Sequence, residues 1–179
     1  MTIKENKALI EKYPFLRIKD IWDNVDDDNY EFTWLDDMPD GWRKCFGLQM
    51  CDDILAALKE GGMNPEDYQI VQIKEKFGQL RIYNNGAPEQ VNDVIRKYEY
   101  LSEHVCIRCG KIDVPTYGGW VSPYCDDCAK KIYDNPEERI IYPADLKSSF
   151  TITRYGKNGK EEIEFDISDI LDRIGYKTN

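Results

Sequence analysis

The run Cys106-Ile107-Arg108-Cys109 is followed, fifteen residues later, by Cys125-Asp126-Asp127-Cys128. Two residues between thiols let one tight turn aim both sulfurs at a single ion, and Gly110 permits the backbone to curl after the second. A second such turn completes a tetrahedral S4 site, and C-x2-C-x15-C-x2-C is a zinc spacing. Four protein thiolates fill the shell and leave no position for an activated water, so one structural zinc ion is expected. Mononuclear iron, disulfides and redox thiols are the rivals. Zinc is the commoner occupant of an S4 site, and the polar start Met1-Thr2-Ile3-Lys4-Glu5-Asn6 is too hydrophilic for a secretion signal, which disfavours disulfides. Tyr117, Trp120 and Tyr124 are expected to pack around the metal. His104 is read as a helix-end histidine, Cys45 and Cys51 as buried small apolar residues.

Outward from this module, the chain divides into an α+β core at 1–104, a zinc-ribbon module at 105–135 and a ββα extension at 136–179. In the core, Thr2-x-x-Glu5 is a capping box that opens a helix ended by Pro14. Pro39-Asp40-Gly41 leads into a helix over 42–60, where Phe46, Met50, Ile54 and Leu58 repeat every four residues and Gly61-Gly62 stops it. Residues 68–74 and 79–83 form a hairpin around Gly78, with Val71, Ile73, Leu80 and Ile82 facing the core. Pro88 opens a helix over 88–104 at position N1, with Val91, Val94, Ile95, Tyr98 and Leu101 on one face. In the extension, 150–155 and 161–167 pair across Gly156-Lys157-Asn158-Gly159, and Ser168 caps a last helix carrying Ile170, Leu171 and Ile174. The fold class is α+β, a small mixed helix and antiparallel-hairpin core with a zinc ribbon and a C-terminal ββα unit.

Charge is distributed unevenly. The 179 residues carry a formal −10, and residues 20–40 supply −9 of it with nine acids and no Lys or Arg. Trp22, Tyr30, Phe32 and Trp34 are interleaved with those acids. Asp26, Asp27, Asp28 and Glu31, with Trp22 and Trp34, are candidates for docking on a basic protein partner. The alternative is a solvated acidic loop whose rings join the core. An EF-hand fails here, because Tyr30 and Glu31 stand where a ligand and the obligatory Gly belong. Lys74, Lys76 and Arg81 concentrate three cations on the hairpin, a candidate contact for phosphate or carboxylate. The acidic balance disfavours broad nucleic-acid binding, and no apolar run reaches the ~20 residues of a membrane span. The chain carries no G-x-S-x-G, P-loop or H-E-x-x-H and has one histidine, so an enzyme is the less favoured class.

Ile70-Val71-Gln72-Ile73-Lys74-Glu75-Lys76-Phe77-Gly78-Gln79-Leu80-Arg81-Ile82-Tyr83, then a helix, Cys-x2-Cys-Gly and a second Cys-x2-Cys, resembles a group of small phage- and prophage-encoded proteins of unknown function. Gly41-Trp42 ahead of a helix containing Cys51 fits the same group, over roughly residues 38–130. The resemblance implies a bacterial cytoplasm and a viral or mobile-element origin, and no catalytic role transfers with it. The expectation is a non-enzymatic, zinc-stabilised protein that acts by protein–protein interaction on a host or phage partner, inhibition of a host defence or nucleic-acid-handling complex being one such role. The alternative is a nucleic-acid-binding or -processing accessory that uses the ribbon and the Lys74/Lys76/Arg81 hairpin.

Overall fold

The computed structural model describes residues 1–18, 30–156 and 159–177. Helix α1 (Ile3–Lys12) opens on the expected capping box: Glu5 N–H donates to Thr2 Oγ1 and Thr2 N–H to the Glu5 carboxylate at 2.7 Å. The chain then turns at Pro14, burying Phe15 and Leu16. Helices α2 (Asp40–Trp42) and α3 (Leu48–Glu60) are joined by one π-helical turn, Arg43–Gly47. Phe46, Met50, Ile54 and Leu58 are all buried, as the four-residue repeat requires. Full burial of each such side chain contributes ~1.5–3 kcal/mol. Gly61 N–H closes the helix on Ala57 C=O, and Gly62 takes φ +71°.

Strands β1 (Ile70–Lys76) and β2 (Gln79–Asn84) form an antiparallel hairpin closed by Phe77-Gly78. The inward set is Ile70 and Ile73 with Leu80 and Ile82, so the expectation for Val71 is corrected. A register shift between Ile70 and Gln72 is the reason: Val71 sits in a bulge and is only half-buried. A bulge spends one extra residue, and alternation read from sequence loses step there. Helix α4 (Glu89–Ser102) buries Val91, Ile95, Tyr98 and Leu101 against the same core, and Pro88 is its N-cap residue, one place before the N1 position expected for it. Leu80 N–H donates to Ser102 Oγ at 2.8 Å, fixing β2 along α4.

Strands β3 (Thr116–Tyr117), β4 (Ser122–Pro123) and β5 (Ile140–Tyr142) form a three-stranded sheet in the order β4-β3-β5, with helix α5 (Asp126–Ala129) following β4. Strands β6 (Ser149–Gly156) and β7 (Gly159–Asp166) form a second hairpin, and helix α6 (Ser168–Arg173) follows. Phe150 stacks on Tyr100 of α4 at 4.1 Å, and Arg173 grips Asp53 of α3 with both terminal nitrogens at 2.7 and 2.9 Å. Ser168 does not cap α6. The carboxylate of Asp166 takes the Ser168 N–H at 2.7 Å, because the longer Asp side chain two residues upstream reaches that donor. The fold is α+β with antiparallel hairpins throughout.

Candidate metal centre

The first cysteine pair is held by a tight turn. Val105 and Ile112 bridge antiparallel, Cys106 N–H donates to Lys111 C=O at 2.8 Å, and Gly110 N–H returns to Cys106 C=O at 3.0 Å. Gly110 has φ +84°, and a Cβ there would lie 2.8 Å from Gly41 O, so glycine is required twice over. The second pair is presented differently from the expected repeat of that turn. Cys125 precedes the first turn of α5, whose Cys128 and Ala129 N–H groups donate to Cys125 C=O at 3.0 and 2.8 Å. One knuckle and one helical turn therefore face each other.

The ligand atoms of Cys106, Cys109, Cys125 and Cys128 all lie within 4.8 Å of one another, and the Cys109 and Cys125 sulfurs are 3.5 Å apart. A tetrahedron with ~2.3 Å metal–sulfur bonds has an edge of about 3.8 Å, so the cluster fits one ion. Cys106, Cys125 and Cys128 are buried and Cys109 is exposed; all six cysteines of the chain are free thiols. Burial opposes the Cys106 thiolate, yet backbone hydrogen bonds at Cys125, Cys109 and Arg108 outweigh it and hold its pKa below the ordinary value. Burial, then neighbouring sulfurs, push Cys109 and Cys128 up. A divalent cation among the four sulfurs resolves that conflict by stabilising every thiolate at once.

The centre is fastened to the helical core at α2. Trp42, wholly buried, donates its indole N–H to Val105 C=O at 2.8 Å, and Gly41 N–H donates to Ile107 C=O at 3.0 Å. A Cβ at Gly41 would meet Cys106 O at 2.1 Å, so the helix start can lie on the knuckle only as glycine. Ile107 N–H then donates to Pro123 C=O at 3.0 Å, tying the two halves of the module.

Around the sulfurs, Tyr117 and Tyr124 pack as expected, and Tyr133 completes a ring cluster with centroids 5.8 Å from Tyr117 and 6.2 Å from Tyr124. Sequence reasoning missed Tyr133, whose only signal was its place one turn beyond the last cysteine. Trp120 is corrected: it is 74% exposed at the tip of the β3–β4 loop. His104 packs at a tilt against Tyr100, ring centres 5.1 Å apart, outside the sulfur cluster. Burial raises the thiol of Cys45 to about 11, and Cys51 is wholly buried with its thiol pushed up for the same reason.

Comparison of the chain with family models, curated proteins and solved structures finds no match. Its chemistry rests on its own geometry.

The other candidate residues are placed as follows. Trp22, Asp26, Asp27 and Asp28 lie outside the described residues. Glu31 is exposed, while Trp34 is half-buried and packs against the main core. Lys74 and Arg81 are direct cross-strand partners on one face of the hairpin, and Lys76 follows on the same face. Lys74 Nζ stands 4.9 Å over the Tyr83 ring, Lys76 Nζ 5.7 Å over Phe77, and Arg81 is 3.6 Å from Glu99. Among the described residues no helix is long and apolar enough to cross a membrane.

Proposed function

We propose that this chain is a non-enzymatic binding protein of phage or mobile-element type, in the bacterial cytoplasm, whose four clustered cysteines hold one structural zinc ion and whose metal module engages a protein partner. Zinc is supported by the all-sulfur, tetrahedral-sized donor set, which completes the coordination shell with protein atoms alone. The partner is supported by one observation above others. Strand β5 is an edge strand, and its residues Ile140, Ile141 and Tyr142 are all exposed on the sheet whose opposite edge, β4, leads into Cys125. An apolar edge in water offers unpaired backbone groups and side-chain knobs to another chain. The −9 charge of residues 20–40 suits a partner that is basic overall.

Two measurements test this. Metal analysis of freshly purified protein should return one zinc per chain, and cobalt substitution should give the visible bands of a tetrahedral tetrathiolate; no bound metal would overturn the centre. Pull-down from bacterial lysate with wild type and Ile141→Asp should differ in one protein that then binds the purified wild type directly. Identical partner sets would overturn the use of β5.

A further inference from the structure

The outer face of the β1–β2 hairpin ends in a ring that the fold does not use. Cross-strand register puts Gln72 with Tyr83, Lys74 with Arg81 and Lys76 with Gln79 on one side, while Ile73, Ile82 and Leu80 point to the core. This outer face carries no aliphatic side chain. At its end Phe77 and Gly78 take φ +55° and +78°, the two-residue turn that normally holds Asn-Gly. A bulky ring in the left-handed region is a backbone outlier. Phe77 is also 76% exposed, so it contributes to neither the turn nor the core. Such cost concentrates at functional positions.

A second exposed ring, Trp120, is carried on the loop that the hairpin tip touches. A Cβ on Gly78 would lie 3.2 Å from Val121 O and 3.3 Å from Ser122 Cα, so the hairpin tip is pressed against the loop that carries Trp120. Against the same loop, an Arg139 guanidinium nitrogen is 3.3 Å from where a Gly119 Cβ would stand, while the guanidinium carbon is 5.1 Å from the centre of the Tyr133 ring. Lys76 Nζ stands 5.7 Å over the Phe77 ring, and Lys74 lies on the same face of the hairpin. Lys74 and Lys76 form no ion pair among the described residues, and Glu75 is turned back to accept the Gly78 N–H at 2.6 Å. From the Gln72/Tyr83 pair to the Lys76/Gln79 pair is about 13 Å at ~3.3 Å per strand residue.

We propose that this surface binds single-stranded nucleic acid, with bases stacked on Phe77 and Trp120 and phosphates met by Lys74, Lys76 and Arg139. Every base has a π-face, so stacking with interleaved cations binds strands with little sequence preference. The contrast with β5 decides between macromolecule classes: isoleucines make knobs for protein, whereas this face offers flat rings and ammonium groups. The site is independent of the partner at β5 and of the metal's identity.

The probes are fluorescent oligothymidylate and oligouridylate of about 15 nucleotides, within the roughly 4–16 a single-strand site spans. Wild type should bind at low salt, and the two arms show whether DNA or RNA is preferred. Trp120→Ala and Phe77→Ala should each weaken binding roughly 5- to 150-fold, the equivalent of ~1–3 kcal/mol of stacking per base. Lys74→Gln with Lys76→Gln should flatten the slope of log K against log salt by about 1.4, at ~0.7 per phosphate contact. Phe77→Asn is the sharpest variant: it suits the turn, so Tm should rise while oligonucleotide binding falls. Zinc content should stay unchanged in all variants. No binding of either oligonucleotide at low salt would overturn the proposal, as would binding indifferent to Phe77 and Trp120. Loss of a purified protein partner in these variants, with oligonucleotides unbound, would also overturn it and mark a protein hot spot instead.

Discussion

The helical core and the metal module are held together by opposite means. Around α3 and α4, Trp42, Phe46, Met50, Ile54, Leu58, Ile95 and Leu101 share one buried cluster with both strands of the first hairpin. In the module the buried cluster is Val114 with Cys106, Cys125 and Cys128, and Tyr124 packs against it. Apolar burial scales with area, and the module has little area to bury. Metal bonds to the four clustered cysteines would supply what packing cannot. The two regions meet at Gly41 and Trp42, where the first turn of a core helix lies directly on the first cysteine knuckle.

The largest expected effect separates the two. Structural zinc supplies an apparent ~10–16 kcal/mol in small zinc domains near neutral pH, so with the proposed zinc at the four cysteines its removal should unfold the module outright. Chelation, or Cys128→Ser, should abolish the near-ultraviolet circular dichroism of the Tyr117, Tyr124 and Tyr133 cluster. The far-ultraviolet helical signal of α3 and α4 should largely persist. If helix and tyrosine signals vanish together at one chelator concentration, the core depends on the metal and the contrast fails.

The next effect asks how far the join couples them. Trp42→Ala removes a wholly buried ring and should cost about 3–5 kcal/mol in urea unfolding. Trp42→Phe keeps most of the ring but strands the Val105 carbonyl, at about 1–3 kcal/mol. Coupling through the knuckle predicts that both variants also speed zinc transfer to a chelator. Gly41→Ala forces a Cβ to within 2.1 Å of Cys106 O, so backbone must move. Overpacking of that kind costs about 1–3 kcal/mol, and here the larger consequence should be faster zinc release. Unchanged release in all three variants would mean the regions touch without communicating.

Legibility in the sequence followed the same division. Ligand chemistry is local, so Cys106, Cys109, Cys125 and Cys128 could be grouped from spacing alone, and the structure brings them together. The four-residue repeat of Phe46 to Leu58 was equally plain, because helical periodicity reports burial directly. What escaped were mainly features set by tertiary contact. The bulge at Val71 and the π-turn at Arg43–Gly47 each depend on how one element meets another, whereas the Asp166 cap is local and escaped because two neighbouring side chains compete for one donor. Gly41-Trp42 looked like an ordinary helix entry, and only the knuckle lying on it explains both residues. Trp120 is misjudged for a related reason: a large ring five residues before a cysteine ligand reads as core unless the loop's direction is known.

The smallest effect gives the two regions opposite responses to pH. Glu99 and Glu103 on α4 lie half-buried beside Arg81 and Gln79, and burial raises both carboxyls above the ordinary 4.5 despite those partners. A raised carboxyl binds its proton more tightly in the folded state. Between the raised folded value and 4.5 the native chain therefore holds more protons than the unfolded one, and stability increases as pH falls through that window. Asp36 and Asp52 act the other way, their carboxyls held below the ordinary 3.8, and their contribution is lost only at more acidic pH. Thiolate ligands behave oppositely to Glu99 and Glu103, since protons compete with the metal as pH falls. Acidification from neutral toward pH ~5 should thus weaken metal retention while the core holds or gains slightly. Glu103→Gln keeps an oxygen for the Gln79 side-chain donor and removes the desolvated charge. It should stabilise the core at neutral pH by only ~0.5 kcal/mol, because solvent screens a partly exposed group. The gain should fade as pH falls through the raised folded value and be gone below 4.5, where the unfolded carboxyl is protonated as well. A Glu103→Gln protein less stable than wild type at neutral pH would show that its partners outweigh burial, and the two regions would then share one sign of pH dependence.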